Sequence, residues 1–184
     1  MPHLIVDGSD EENFKKIKGF ANKYKITIVH FDYNIHHGPG MAYGFQKIET
    51  DQILLLDSDL IIYNKGFVED FQSKLRPESY GIGAVYWGNR IDSDTEGINY
   101  LHPACTLINR NIALQYPLPS LYCSPMMAPM RFMHERGIVL IQDESWVHDD
   151  FSGGPNILDV VAPNVHYVRH HWAGTIKRFG RCGV

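Results

Sequence analysis

The chain has 184 residues, a formal net charge of −4, and 44% apolar against 21% charged side chains. That size suits one domain with a core that needs no disulfide staples, and the weakly acidic balance gives no overall attraction to nucleic acid or an anionic bilayer. Cys105, Cys123 and Cys182 are far apart, odd in number and form no CxxC pair, the pattern of reduced thiols rather than of a disulfide framework.

Residues 3–6 read as a short buried strand that stops at the turn signal Asp7-Gly8-Ser9. Ser9 followed by Glu12 matches a capping box, so a helix is expected there, with Phe14, Ile17, Phe20, Ala21 and Tyr24 at helical spacing. The β-branched run 26–29 predicts a second strand. Residues 34–40 read as a loop, and a helix is expected from about 41 to 50. Residues 52–56 are apolar at nearly every position, as in a parallel strand covered on both faces.

Further strands are expected at 81–86, 105–108 and 138–141, and late ones at 160–161 and 165–168. An exposed loop is expected over 88–99, and a helix over 126–136 stopped by Gly137, with Met126, Met127, Met130 and Met133 as packing. The predicted architecture is a single α/β domain over 1–184. Its central sheet is mostly parallel and flanked by helices, with a mixed sheet in the second half. No apolar run approaches the ~20 residues that span a bilayer, and residues 1–13 carry no signal-peptide pattern. A cytoplasmic protein is expected, with its oligomeric state open.

Three constellations carry chemistry. Asp57-Ser58-Asp59 follows the apolar strand 52–56. Strand ends of this kind face the ligand crevice of α/β folds, and paired carboxylates suit Mn²⁺ or Mg²⁺. Asp143, Glu144, Asp149 and Asp150 form an acidic cluster after strand 138–141. They offer either a general base for an acceptor hydroxyl or an acidic helix start. His170-His171-Trp172-Ala173-Gly174-Thr175-Ile176-Lys177 contains His-x-x-Gly-x-x-Lys, and a neutral imidazole is a good divalent-metal ligand. His36 and His37 border the loop 34–40, and His102-Pro103-Ala104-Cys105 precedes a strand on the expected acceptor side.

Val6-Asp7-Gly8-Ser9, then Gly38, Gly40, Ala42 and Gly44, then Ile53-Leu54-Leu55-Leu56-Asp57-Ser58-Asp59 resemble, over residues 3–71, glycosyltransferase family 2 on the GT-A fold. The resemblance implies that Asp7, with Gly8 and Ser9, meets the uracil or ribose of a nucleotide-sugar donor. It implies that Gly38 and Gly40 lie against the nucleotide. Asp57, Ser58 and Asp59 then serve the metal, donor sugar and ribose. The C-terminal motif is similar to one in glycosyltransferase family 8. That likeness implies a metal ligand at His171, with His170 as the alternative, and diphosphate contacts from Gly174 and Lys177.

Together they imply a transferase that moves a sugar, from a UDP-sugar foremost, to a hydroxyl of a glycan or other acceptor, with Mn²⁺ or Mg²⁺ and no nucleic acid. Residues 1–100 form the nucleotide-sugar part. Residues 101–184 form the acceptor side and the metal and diphosphate segment. Two departures stand out. The Glu-Asp pair expected ahead of Gly137 is replaced by Cys123-Ser124-Pro125-Met126. The base of an inverting enzyme is then expected among Asp143, Glu144, Asp149 and Asp150, while a retaining enzyme needs none; inversion is the preferred expectation. In addition, the sequence begins at what matches the second strand of the family's fold. A nucleotidyltransferase and a non-catalytic sugar-nucleotide-binding domain are the alternatives.

Overall fold

The structure is a computed structural model that describes residues 4–58, 60–63, 66–86, 97–120, 124–143, 146–148, 157–162 and 165–171. Strand β1 (Leu4–Asp7) pairs in parallel with β2 (Thr27–His30), from Leu4 opposite Thr27 to Asp7 opposite His30. Helix α1 (Glu11–Tyr24) makes the crossover. Its N-cap is Asp10, whose carboxylate accepts the Asn13 N–H at 2.9 Å. The expected Ser9 cap is displaced by one residue, because Ser9 gives both its N–H and its hydroxyl to Asp7. The helix ends at Lys25, which takes the left-handed conformation with φ 56°.

Helix α2 (His37–Lys47) starts four residues before the expected position. Pro39 falls in its first turn, where a missing N–H leaves nothing unsatisfied. Gly38 and Gly40 are therefore helical rather than loop residues. Strand β3 (Gln52–Leu56) has the expected bounds. Its ladder, however, is antiparallel to β8 (Cys105–Asn109), and no ladder joins β1 to β3 among the described residues. Strand β5 (Gly81–Gly83) continues the sheet antiparallel to β8, and β9 (Ile141–Asp143) closes it parallel to β5.

The unbroken apolarity of β3 follows from cover on both faces. Ile53 and Leu55 pack with Met41 and Phe45 of α2. Leu54 packs on the other side with Phe67 and Phe71 of α3 (Phe67–Lys74). Two-sided cover makes such a run whichever way the neighbouring strand points, so apolarity alone could not set the ladder's direction.

Strand β4 (Leu60–Ile62) joins a second, antiparallel sheet in the order β10 (Trp146–His148), β11 (Ile157–Ala162), β12 (Val165–His171), β4. Strands β6 (Val85–Tyr86) and β7 (Tyr100–Leu101) pair separately. The short helix α4 (Arg110–Ala113) follows β8. Helix α5 (Met127–His134) is followed by Gly137 at φ 63°, and Met126, Met127, Met130 and Met133 are core residues. The strand expected at 138–141 begins only at Ile141, because the Ile138 N–H closes the helix end onto the Met133 carbonyl at 2.9 Å. Most of the expected loop 88–99 lies outside the described residues. No helix among the described residues is long and apolar enough to cross a membrane.

Two glycines give opposite expectations. A Cβ at Gly19, on the exposed middle of α1, meets nothing within 4 Å, whereas one at Gly83 stands 2.5 Å from Thr106 Oγ1 and 3.0 Å from the Cys105 carbonyl. Gly19→Ala is expected to stabilise the fold by about 0.5–1 kcal/mol. Gly83→Ala is expected to destabilise it by roughly 1–3 kcal/mol through overpacking. Urea unfolding of the two variants checks both signs.

Candidate functional site

The site is built where β1, β2 and β3 end. Asp7, the last residue of β1, is 7% exposed. Its Oδ1 accepts the Ser9 N–H at 3.1 Å, and its Oδ2 accepts the Ser9 hydroxyl at 3.1 Å and faces His30 Nδ1 at 2.8 Å. A buried carboxylate needs such donors to replace the hydration it has lost. The His30 ring also stacks on Phe14, with centroids 3.8 Å apart and planes 14° apart. Between Asp7 and Ser9, Gly8 lies so close to the chain leaving β2 that a Cβ would stand 2.8 Å from the Tyr33 carbonyl oxygen. The turn after β1 and the segment after β2 thus form one layer, tied by the Phe31 N–H to the Asp7 carbonyl at 2.9 Å.

That layer leads into α2 through a strained residue. His36 holds φ 67° and ψ 160°, a region that residues with a Cβ rarely occupy and that costs about 1–3 kcal/mol. Its N–H bonds the Asn34 side chain at 2.9 Å. Directly after it, His37 Nε2 lies 3.2 Å from Asp57 Oδ1. This contact sets the end of β3 beside the start of α2, at the same end of the molecule as Asp7 and His30. The Asp57 N–H donates to the Ala104 carbonyl at 2.9 Å, which binds the turn 102–105 to the same corner.

Under Asp57 sits Cys105, fully buried. Burial first, and then the negative charge of Asp57, push its thiol up to about 12. A thiol kept protonated is neither a nucleophile nor a metal ligand.

Of the residues expected from the sequence, the structure gathers Asp7, Gly8, Ser9, Asp57 and Ser58 at this end, with Gly38 and Gly40 in the first turn of α2. The ladder of β12 on β4 sets His170 opposite Leu60, so the backbone of the His170-His171 pair returns to the residues that follow Asp57. The side chain of His171, and all of Asp59, Glu144, Asp149, Asp150, Gly174 and Lys177, lie outside the described residues.

Asp143 ends β9, and its carboxylate accepts the Val85 N–H at 3.1 Å. Strand β9 runs the same way as β3 but three places across the sheet. At ~4.8 Å per strand that is roughly 14 Å from Asp57. Among the described residues no group of three or more His, Cys, Asp or Glu side chains could hold a metal ion. Asp57 and His37 do offer one oxygen and one nitrogen of the kinds that Mn²⁺ accepts.

Sequence reading underrated His37 and missed His30. The available signal for His30 was positional: it follows a β-branched run, as Asp7 follows the first apolar run.

No protein-family model matches the chain, and no curated protein matches its sequence. Among solved structures it is similar to the mannosyltransferase PcManGT from Pyrobaculum calidifontis in complex with GDP-Man and Mn²⁺, at a TM-score of 0.53 and 10% identity. The fold is GT-A-like. The match covers 68% of this chain and 41% of the mannosyltransferase, so the GT-A-like chain corresponds to less than half of that enzyme's length.

The environment of Cys105 makes a direct prediction. Its folded-state value of about 12 lies above the ordinary 9.0. The stabilisation from keeping this thiol protonated is therefore complete below about pH 9 and is lost as pH climbs from there toward 12. At pH 8, iodoacetamide is expected to spare Cys105 in the folded protein and to label it in urea, read by peptide mass spectrometry. Rapid labelling of the folded protein would contradict the described burial.

Proposed function

We propose that this chain is a metal-dependent glycosyltransferase domain that uses a nucleotide-sugar donor. It transfers a sugar from a nucleotide-diphosphate sugar, UDP-linked foremost, to a hydroxyl of a glycan or other acceptor. The observation that carries the reading is the position of Asp57. Its carboxylate follows a strand that packs against helices on both faces, beside the N-terminus of α2 and at the same end as the Asp7 turn. The return of β12 to β4 adds support, as does the likeness in fold to a mannosyltransferase solved with GDP-Man and Mn²⁺. That neighbour keeps a guanosine donor beside the uridine one as a choice.

Asp57, Asp59 and His171 would hold Mn²⁺ or Mg²⁺, which when bound neutralises charge on the departing diphosphate. Lys177 adds a positive charge for the same anion, and Gly174 lets the backbone approach it. Gly38 and Gly40 sit in the first turn of α2, the part of the chain against which the nucleotide would lie, and a helix start favours phosphate. Ser58 lines the donor side, and Asp7, Gly8 and Ser9 form the nucleoside end. For an inverting enzyme the base comes from Asp143, Glu144, Asp149 or Asp150; a retaining one uses none of them. The cysteine pattern supports a cytoplasmic setting.

The test is Mn²⁺-dependent hydrolysis of UDP-sugars and of GDP-mannose. Asp57→Asn and Asp59→Asn are each expected to lower the rate by at least about 100-fold. His171→Ala is expected to weaken Mn²⁺ binding more than His170→Ala. Unaltered Mn²⁺ and UDP affinity in Asp57→Asn, measured by calorimetry, would refute the metal role. Turnover of nucleoside triphosphates with sugar phosphates instead would make the chain a nucleotidyltransferase, and donor binding without hydrolysis a non-catalytic domain.

A further inference from the structure

The carboxylate of Asp7 is largely used up inside the fold. Three donors converge on it, the Ser9 N–H, the Ser9 hydroxyl and His30 Nδ1, and the residue is 7% exposed. His30 is the more open partner, at 24% against 7% for Asp7. An ionised carboxylate can only accept, so in the neutral form of the ring this contact puts the proton on Nδ1 and leaves the lone pair on Nε2. Nε2 has no hydrogen-bond partner among the described residues. Phe14 covers one face of the ring and holds its plane, and the parallel register sets His30 level with Asp7 at the end of β2. A buried acid that fixes the tautomer of a more exposed imidazole is a common way to present a directed acceptor.

We infer that His30, rather than Asp7, is the group that meets the nucleobase of the donor, and that Asp7 is its positioning residue. This inference rests on the nucleotide-sugar reading above. The acceptor at Nε2 matches a ring N–H, which uracil and guanine carry and which cytosine and adenine replace with an acceptor nitrogen. His30 thus selects uridine and guanosine diphosphates over cytidine and adenosine diphosphates.

The experiment has two arms. In the first, calorimetry with Mn²⁺ compares UDP, GDP, CDP, ADP and base-free pyrophosphate on the wild-type chain, His30→Ala, His30→Gln and Asp7→Asn. One lost hydrogen bond predicts about a tenfold fall in UDP or GDP affinity for His30→Ala, with pyrophosphate affinity unchanged. His30→Gln, which keeps an acceptor, is expected to recover part of the loss. Asp7→Asn is expected to lose UDP affinity without losing pyrophosphate. The second arm reads the ¹⁵N shifts of the His30 ring in the wild-type chain, where an Nδ1–H tautomer is expected, to be lost in Asp7→Asn.

Equal losses of UDP and pyrophosphate in His30→Ala would reduce His30 to a structural residue and overturn the inference. So would a wild-type ring in the Nε2–H form, or unchanged UDP affinity in a folded His30→Ala. If pyrophosphate binds and no nucleotide binds more tightly than it, the base contact fails while the diphosphate site stands. If neither binds, the nucleotide-sugar reading fails and this inference falls with it.

Discussion

A carboxylate taken out of water must be supplied with hydrogen bonds, and the end of the molecule that we assign to the donor is organised around that demand at Asp7. Supplying it uses both donors of Ser9 and one nitrogen of His30. The consequences spread locally. Ser9 is no longer free to cap α1, so Asp10 does. His30 must stand level with Asp7, which matches the observed register of β1 and β2. The chain leaving β2 then lies on Gly8, where no other residue fits without moving the Tyr33 carbonyl.

From that layer the backbone reaches the start of α2 only through the strained His36. Strain of this size persists where the surroundings over-determine it. Here the surroundings are the Asn34 side chain before His36 and the His37–Asp57 contact after it. The same contact carries the layer across to β3, although no ladder joins β1 to β3 among the described residues. Helix α2, through Met41 and Phe45 against Ile53, is the packing element that spans the two. One end of the fold therefore gathers residues from β1, β2, α2 and β3 through side chains and loops rather than through one continuous sheet.

Much of this was legible in the sequence, and the reasons differ by residue. The strand 52–56 and the position of Asp57 follow from apolar length and a polar stop, which are local signals. The direction of its partner is not local, because two covering helices produce the same apolar run beside either kind of neighbour. The sequence places helix α2 late because Pro39 and its two flanking glycines, Gly38 and Gly40, look like a loop, while the first turn of a helix tolerates both. The Ser9 cap was lost to a tertiary bond that the spacing of Ser9 and Glu12 does not reveal. His30 stayed hidden because a histidine at a strand end has meaning only once its neighbour across the ladder is known. The return of β12 beside Leu60 depends on a separation of more than 100 residues, beyond any local pattern.

The central claim is that the end of β3 holds a divalent metal for a nucleoside diphosphate. Crystals grown with Mn²⁺ and UDP, measured for anomalous scattering, test it most directly. The account predicts a manganese peak within ~2.2 Å of an Asp57 carboxylate oxygen, with the UDP diphosphate on the same ion. A peak ligated elsewhere, or ordered UDP with no metal at Asp57, would contradict it.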